Sequence, residues 1–307
     1  MLAFALRRLL AAIPTLFFVI LLAFLMMHAA PGGPFDSERT LPPEIEANIA
    51  AAYQLDEPLP VQFFSYLGGV LQGDFGPSFR YRDYTVSELI AGAFPLSLQV
   101  GGLAMLIALM FGIAAGSIAA LYRDSWIDRS IMAVSLTGIS IPVFVVAPLL
   151  VLVFAVSLTW LPAGWSSTAG GARLVLPVIA LALPQIAYIA RLLRASLVDV
   201  LASDFIRTAR AEGLTSGRKL LRHALKPALL PVISYLGPAV ASILTGSVVV
   251  EQIFGIPGLG QFFVTGALNR DYTLVLGIVV FYACLIVFFN LLVDLAYAAI
   301  DPRIRYT

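Results

Sequence analysis

The chain has 307 residues, 60% of them hydrophobic and only 12% charged, with a mean hydropathy of +0.94. Soluble domains carry about 25% charged residues, so a water-soluble globule is excluded: apolar surface on this scale would aggregate. The net charge of +1 names no partner, Cys284 is the single cysteine and cannot form an intrachain disulfide, and His28 and His223 are the only histidines, with no metal-ligand spacing around them.

A helix needs about 20 apolar residues to cross the hydrocarbon of a bilayer. Taken in chain order, residues 9–29 form the first candidate. Arg7 and Arg8 precede this run as they would a cleavable signal, but it exceeds the usual ~7–15 residue apolar core of a signal peptide. It is therefore expected as a retained span. Residues 30–95 follow as the one sizeable extramembrane region. Within it, "LPPEIEANIAAAYQLDEPLP" predicts a short helix from Pro43 to Tyr53, with Ile45, Ile49 and Tyr53 on one face and Pro58 and Pro60 after it. "GDFGPSF" reads as a turn. This region is a cap over one mouth of a bundle, a docking surface for a soluble partner, or both.

Further spans are expected at 96–122, 130–158, 174–191, 228–250 and 273–298. That makes six, an all-α polytopic helix bundle read as a single domain over 1–307. Prolines inside several spans predict kinks, which neighbouring helices or hydroxyl side chains can satisfy. Gly112 and Gly116 have the small-xxx-small spacing that lets two helix backbones approach closely. Polar groups punctuate the spans, among them Gln185, Tyr188, Tyr235 and Asn290, and belong toward the bundle interior or a wet cavity. Ser234, Ser242, Thr245 and Ser247 of the fifth span are the candidate lining of a path for a polar solute. The loop 251–272 mixes turn-forming glycines with Phe254, Phe262 and Phe263, which predicts a segment folded back onto the outer mouth.

Lysine and arginine placement sets the orientation. With the N-terminus in the cytoplasm, the cytoplasmic set is Arg7, Arg8, Arg123, Arg129, Arg191, Arg194, Arg207, Arg210, Arg218, Lys219, Arg222, Lys226, Arg303 and Arg305. Only Arg39, Arg80, Arg82, Arg173 and Arg270 lie outside. Both termini are then cytoplasmic.

The densest charge lies in "DFIRTARAEGLTSGRKLLRHALK", residues 204–226. Burying its six lysines and arginines would cost roughly 15–20 kcal/mol at about 2.5–3.5 kcal/mol each, so the segment lies outside the hydrocarbon. Ser203 or Asp204 can cap a helix start. Phe205, Ala209 and Gly213 share a face, and Gly213 is a natural stop. Thr215 or Ser216 can cap a second helix whose apolar side is Leu220, Leu221, Ala224 and Leu225. Three readings stand at this point: a basic amphipathic element lying on anionic lipid, a nucleic-acid arm, which no stacking platform accompanies, and a docking element for a cytoplasmic protein. Beyond a transporter, the composition also admits a membrane scaffold or a secondary carrier, although a carrier would more often show ionisable groups at mid-membrane; Asp294 is the only carboxylate within a predicted span.

The segment resembles the "EAA" loop of ABC importer permeases. "TLPPEIEANI", "GDFGPSF", "FIRTARAEGL", "RHALKPALLPVISYLGP", "GIPGLGQFFVTGALNRDYTLVLG" and "DPRIRY" resemble the peptide/nickel branch of binding-protein-dependent importers, and within it the B-type subunits of oligopeptide permeases. Arg207 and Thr208 stand where the general loop has Glu and Ala, and His223 and Lys226 where it has Ile and Pro, while Ala209, Gly213 and Leu225 are retained. The resemblance implies a type I importer permease fold, a homologous second permease, two cytoplasmic ATPases that bind ATP and Mg, a periplasmic binding protein, and peptide cargo, or the dipeptide, glutathione or nickel cargo of related systems. It places ATPase coupling at 203–226, on Arg207, Ala209, Arg210, Glu212, Gly213, Leu214, Arg218, Lys219 and Arg222. Docking of the binding protein is expected at Glu44, Glu46, Asp56, Glu57, Glu251 and Phe254. The chain has no G-x-x-x-x-G-K-[ST] loop; "GLTSGRK" lacks the spacing and the preceding strand, so no ATP site or cofactor is expected on it.

Overall fold

The computed structural model describes residues 2–29, 57–81, 83–211, 217 and 220–300. The expected helix at 43–53 lies outside these residues. Among the described residues there is no strand beyond one isolated bridge, Pro77 to Thr85. The longer helices are α1 (Leu2–Ala29), α2 (Leu59–Leu71), α3 (Val86–Leu121), α4 (Trp126–Ser140), α5 (Val143–Leu150), α6 (Val175–Leu201), α7 (Asp204–Ala211), α8 (Leu230–Phe254), α9 (Leu259–Leu268) and α10 (Tyr272–Ile300), with a short π turn at Leu220–Ala224 and one helical turn at Leu225–Ala228 ahead of α8. Five are long and apolar enough to cross a membrane, and a sixth crossing results if α4 and the stretch Val143–Ser157 form one broken span, bent by 102°.

Several bounds differ from the expectation, each for a local reason. α3 starts ten residues before the apolar run because Thr85 and Glu88 form a capping box: the Thr85 amide donates to Glu88 Oε2 at 2.8 Å and the Glu88 amide to Thr85 Oγ1 at 3.2 Å. The expected span at 130–158 is broken at Ile141 and Pro142, both in extended conformation. A residue before proline is pushed out of the helical region. Thr137 and Ser140 donate to the carbonyls of Ala133 and Leu136 in the turn before the break. Beyond Pro148 the helix loosens into a π segment, Val151–Ser157. Trp126 and Trp160, 76% and 70% exposed, flank this stretch, as suits residues at bilayer–water boundaries. The segment 251–272, expected as a loop, is mostly helix: α8 runs on to Phe254, stops at Gly255 in the left-handed conformation (φ 62°), and α9 follows.

Where the sequence reads as one domain, contacts divide the chain into two compact units. The unit comprising Leu6–Ser97 and Pro257–Val287 has two apolar clusters. One joins Val86, Leu89, Ile90 and Ala93 of α3 to Leu259 of α9 and Leu274 and Ile278 of α10. The other joins Ile20 and Phe24 of α1, Phe63 of α2 and Leu276 and Val280 of α10. Asp271, fully buried, caps α10 and ties the "GDFGPSF" turn to it. It accepts from the Ser78 hydroxyl, from the amides of Phe79, Arg80 and Leu274 at 3.2 Å each, and from the Thr273 hydroxyl at 3.1 Å.

The unit comprising Leu98–Ile256 with both chain ends is built around α6. A Cβ added at Gly112 would lie 2.8 Å from Ile189 Cβ, and one at Gly116 would lie 2.6 Å from the Ala190 carbonyl oxygen. The glycine pair thus brings the α3 backbone onto α6. Gly237 of α8 leaves equally little room before Asn290 of α10.

A candidate transport path and coupling surface

A cavity of about 270 Å³ lies between α5, α6 and α8, lined by Val143, Leu181, Pro184, Gln185, Ser242, Ile243, Thr245 and Gly246. Its polar side is organised by Gln185, which is 3% exposed. The Tyr235 hydroxyl donates to Gln185 Oε1 at 2.9 Å, and Gln185 Nε2 donates to Ser242 Oγ at 3.1 Å. Tyr188 packs its ring on Tyr235 at 5.5 Å between centroids. A buried amide must find partners for both its ends, and here it finds them on α8, so the network also pins α6 to α8. Val143 is the first residue after the break in the α4–α5 span, so the break itself contributes to the lining.

Of the four expected path residues, Ser242 and Thr245 reach the cavity. Ser234 is exposed on α8 away from it. Ser247 is a correction: it is buried at 2% exposure and its hydroxyl turns back to the Leu244 carbonyl at 2.9 Å, because its position on α8 packs inward. Gln185, expected toward the bundle interior or a wet cavity, is a lining residue beyond the four named for the path. An amide directly after Pro184 within an apolar run is the signal that marks it.

The basic element leaves α6 through a tight turn: the Ser203 amide donates to the Val200 carbonyl at 3.1 Å and the Arg207 amide to the Ser203 carbonyl at 3.2 Å. Ile206 and Ala209 of α7 are buried at 1% and 6% exposure. Ile206 joins Leu193 and Leu197 of α6, Ala120 of α3, and Ala224 and Ala228 in one apolar cluster. This corrects the expected apolar face: Phe205 points outward, 50% exposed, because Ile206 and Ala209, three residues apart, take the packed side. Arg207 is also exposed and bonds Asp204 at 3.2 Å. The outer face of α7 is therefore Phe205, Arg207 and Thr208. Arg210 and Arg222 lie on described backbone, while Glu212, Gly213, Leu214, Arg218 and Lys219 lie outside the described residues.

Of the expected docking residues, Glu44, Glu46 and Asp56 lie outside the described residues and Glu57 is exposed. Glu251 and Phe254 are corrected: they are 0% and 2% exposed. The Trp165 amide donates to the Phe254 carbonyl at 2.7 Å, tying the chain at 165 to this end of α8, and both side chains pack inside the unit, away from any docking surface. Arg173 stacks its guanidinium over the Trp165 ring at 3.7 Å.

A chain whose described residues are mostly helical, with five or six candidate spans, a cavity with one polar side among them and a basic helix after α6, is a multi-pass membrane transport subunit. The family described as "binding-protein-dependent transport system inner membrane component" matches residues 112–306, and the N-terminal part of the membrane component of such systems matches residues 1–100. The chain belongs to this family of inner-membrane permeases. The oligopeptide transport system permease protein OppB of Salmonella typhimurium is 56% identical to it, with all of both chains covered. The dipeptide permease DppB of Bacillus subtilis is 43% identical over 98% of this chain and 97% of its own, and the glutathione permease GsiC of Salmonella choleraesuis 41% over all of both. The inward-facing MetNI methionine ABC transporter aligns over 69% of this chain and 96% of its own with a TM-score of 0.57 at 16% identity, a likeness of fold.

Proposed function

We propose that the chain is the permease subunit of an ATP-driven peptide importer. The observation that carries this reading is the full-length likeness to the oligopeptide permease of Salmonella typhimurium. The cavity supports it physically. Peptides differ in side chain and share a backbone of amides, and Gln185, Ser242 and Thr245 offer uncharged donors and acceptors that suit such cargo without selecting a side chain. The cavity is one wall of a path completed by a homologous second permease. Both termini and α7 face the cytoplasm: Arg123 and Arg129 flank the turn into α4, and the contact of Asp128 in that turn with Arg194 of α6 brings two of the basic clusters to one end of the unit. Two cytoplasmic ATPases hold ATP and Mg, and one of them grips the segment 203–226 through Phe205, Arg207 and the basic residues that follow. A periplasmic binding protein delivers cargo. This chain moves and burns no fuel.

The test is to purify the chain with the gene products expressed beside it, reconstitute the complex in liposomes with its binding protein, and measure uptake of labelled peptides together with ATP hydrolysis. Peptide-dependent hydrolysis with accumulation of intact peptide is expected. A chain that purifies without ATPases, or a complex whose hydrolysis ignores peptide, overturns the reading. The dipeptide and glutathione permeases at 43% and 41% identity favour a second reading, a related cargo on the same machine; the pocket of the binding protein decides between them.

A further inference from the structure

We propose that the ion pair between Asp128 and Arg194 is a transmission strut: it carries movement of α7 into the broken α4–α5 span, and so into the lining of the cavity at Val143. The proposal rests on the importer reading given above. α7 is joined to α6 by Ala202 and Ser203 alone, and Ile206 locks it there. A force applied to α7 therefore moves α6. Seven residues before the end of α6, about 10 Å at 1.5 Å per residue, Arg194 donates through Nε to Asp128 Oδ1 and through a terminal guanidinium nitrogen to Oδ2, both at 2.5 Å. Asp128 is 2% exposed and lies in the first turn of α4. Its Oδ2 also accepts the Asp124 amide at 3.0 Å, where Asp124 holds the left-handed conformation at φ 64°. The carboxylate thus fixes both the turn that leads into α4 and the register of α4 on α6. α4 then runs without interruption to the break at Ile141 and Pro142, and Val143 follows directly in the cavity lining.

Apolar packing already holds α4 against α6: a Cβ at Gly138 would meet Ala187 Cβ at 3.6 Å, an ordinary contact. What the fork adds is direction. Two parallel bonds from a planar guanidinium resist sliding and rotation in a way that methyl contacts do not. Asp128 is buried while Arg194 is 27% exposed, and ion pairs that are partly or fully buried contribute little net stability once desolvation is counted, so adhesion alone does not account for this one. Asp128 and Arg194 are positioning residues; neither touches cargo.

The experiment uses the whole complex in liposomes and reads peptides transported per ATP hydrolysed, beside the yield of assembled complex. D128N keeps an acceptor for the Asp124 amide and removes the charge; R194Q leaves the turn intact and removes the fork. Both are expected to lower the transport ratio about fivefold or more, the scale of a typical coupling energy, with R194K in between because an ammonium gives point contacts and no fork. Reduced yield or turnover at an unchanged ratio assigns the pair to adhesion and overturns the proposal. Where single variants do not assemble, the apolar pair D128L/R194M leaves no unpaired charge, and a normal ratio in that variant overturns it as well. A wild-type complex whose hydrolysis does not respond to peptide refutes the importer reading itself, and the strut with it.

Discussion

Replacing Gly116 with Ala tests whether α3 and α6 are held at backbone contact. The added Cβ would lie 2.6 Å from the Ala190 carbonyl oxygen, 3.0 Å from Leu193 Cβ and 3.2 Å from Ala190 Cα. Two of these three atoms are backbone, so no rotamer change relieves them, and the helices must separate by about 0.8 Å to reach ordinary contact near 3.4 Å. Overpacking of this kind costs about 1–3 kcal/mol. In a bilayer the unfolded reference state keeps its helices, so the usual helix-propensity gain of Ala over Gly largely cancels and the packing cost stands alone. A methyl added at Gly102 of the same helix would meet nothing within 4 Å, and Gly102→Ala is expected within about 0.5 kcal/mol of wild type. The assay is equilibrium unfolding in mixed lipid–detergent micelles titrated with dodecyl sulfate. Gly112→Ala, whose Cβ would meet Ile189 Cβ at 2.8 Å, should behave like Gly116→Ala. The double variant should cost less than the sum, because one separation relieves both contacts. A Gly116→Ala protein as stable as Gly102→Ala would refute the close approach.

Three further outcomes follow from the same geometry. Tyr235→Phe removes one donor from Gln185 while keeping the ring contact with Tyr188, and should cost about 0.5–1.5 kcal/mol in the same titration; Gln185→Leu, which strips partners from both Tyr235 and Ser242, should cost more. Phe205→Ala should weaken ATPase association about tenfold or more, as loss of an aromatic anchor does, with unfolding unchanged, whereas Ile206→Ser should destabilise the α6–α7 junction; co-purification of the ATPases separates the two, and equal effects would sink the assignment of faces. Asp271→Asn leaves five donors on a neutral side chain and, since hydrogen bonds to a charged group contribute about 1.5–3 kcal/mol, should make the 76–81 turn open to protease well before the helices; an unchanged cleavage rate would contradict its role as the clasp.

Most of the helical layout is legible in local sequence, because an apolar run long enough to cross a bilayer is a signal that needs no tertiary context. The basic element at 204–226 is legible for a related reason: its charge forbids burial, and Asp204 marks where its first helix begins. The failures share a cause, which is that distant partners decide them. The apolar run at 174–191 ends at Arg191, while α6 continues to Leu201 and carries Arg194, whose partner Asp128 lies 66 residues away and is not legible locally. α3 begins at Val86 through a cap outside the apolar run. Ser247 and Glu251 look available on α8 and are buried, because the face a membrane helix turns inward depends on neighbours that periodicity within one uniformly apolar helix does not reveal. Phe205 and Ile206 are adjacent and both apolar; only the position of Leu193 and Leu197 determines which one packs.

These contacts give α6 a different neighbour on each face, and helix period assigns them. Ala187 and Arg194, seven residues or nearly two turns apart, lie on one side and meet α4 through Gly138 and Asp128. Ile189, Ala190 and Leu193 meet α3 through Gly112 and Gly116. Gln185 meets α8 through Ser242 and Tyr235. Leu193 and Leu197 receive Ile206 of α7. Small residues bring the backbone close on the α3 side, where sliding is resisted by shape. Directional bonds hold the α4 and α8 sides, where register is resisted by hydrogen-bond geometry. Pro184 leaves one backbone bond of α6 unmade near the cavity, but from Gln185 to Leu197 the helix is held on three sides, so displacement at its basic end is carried along that stretch toward the cavity. The cavity, lined by α6 together with α5 and α8, then changes shape at the point where the α4–α5 span is already broken and the least backbone structure has to be disrupted.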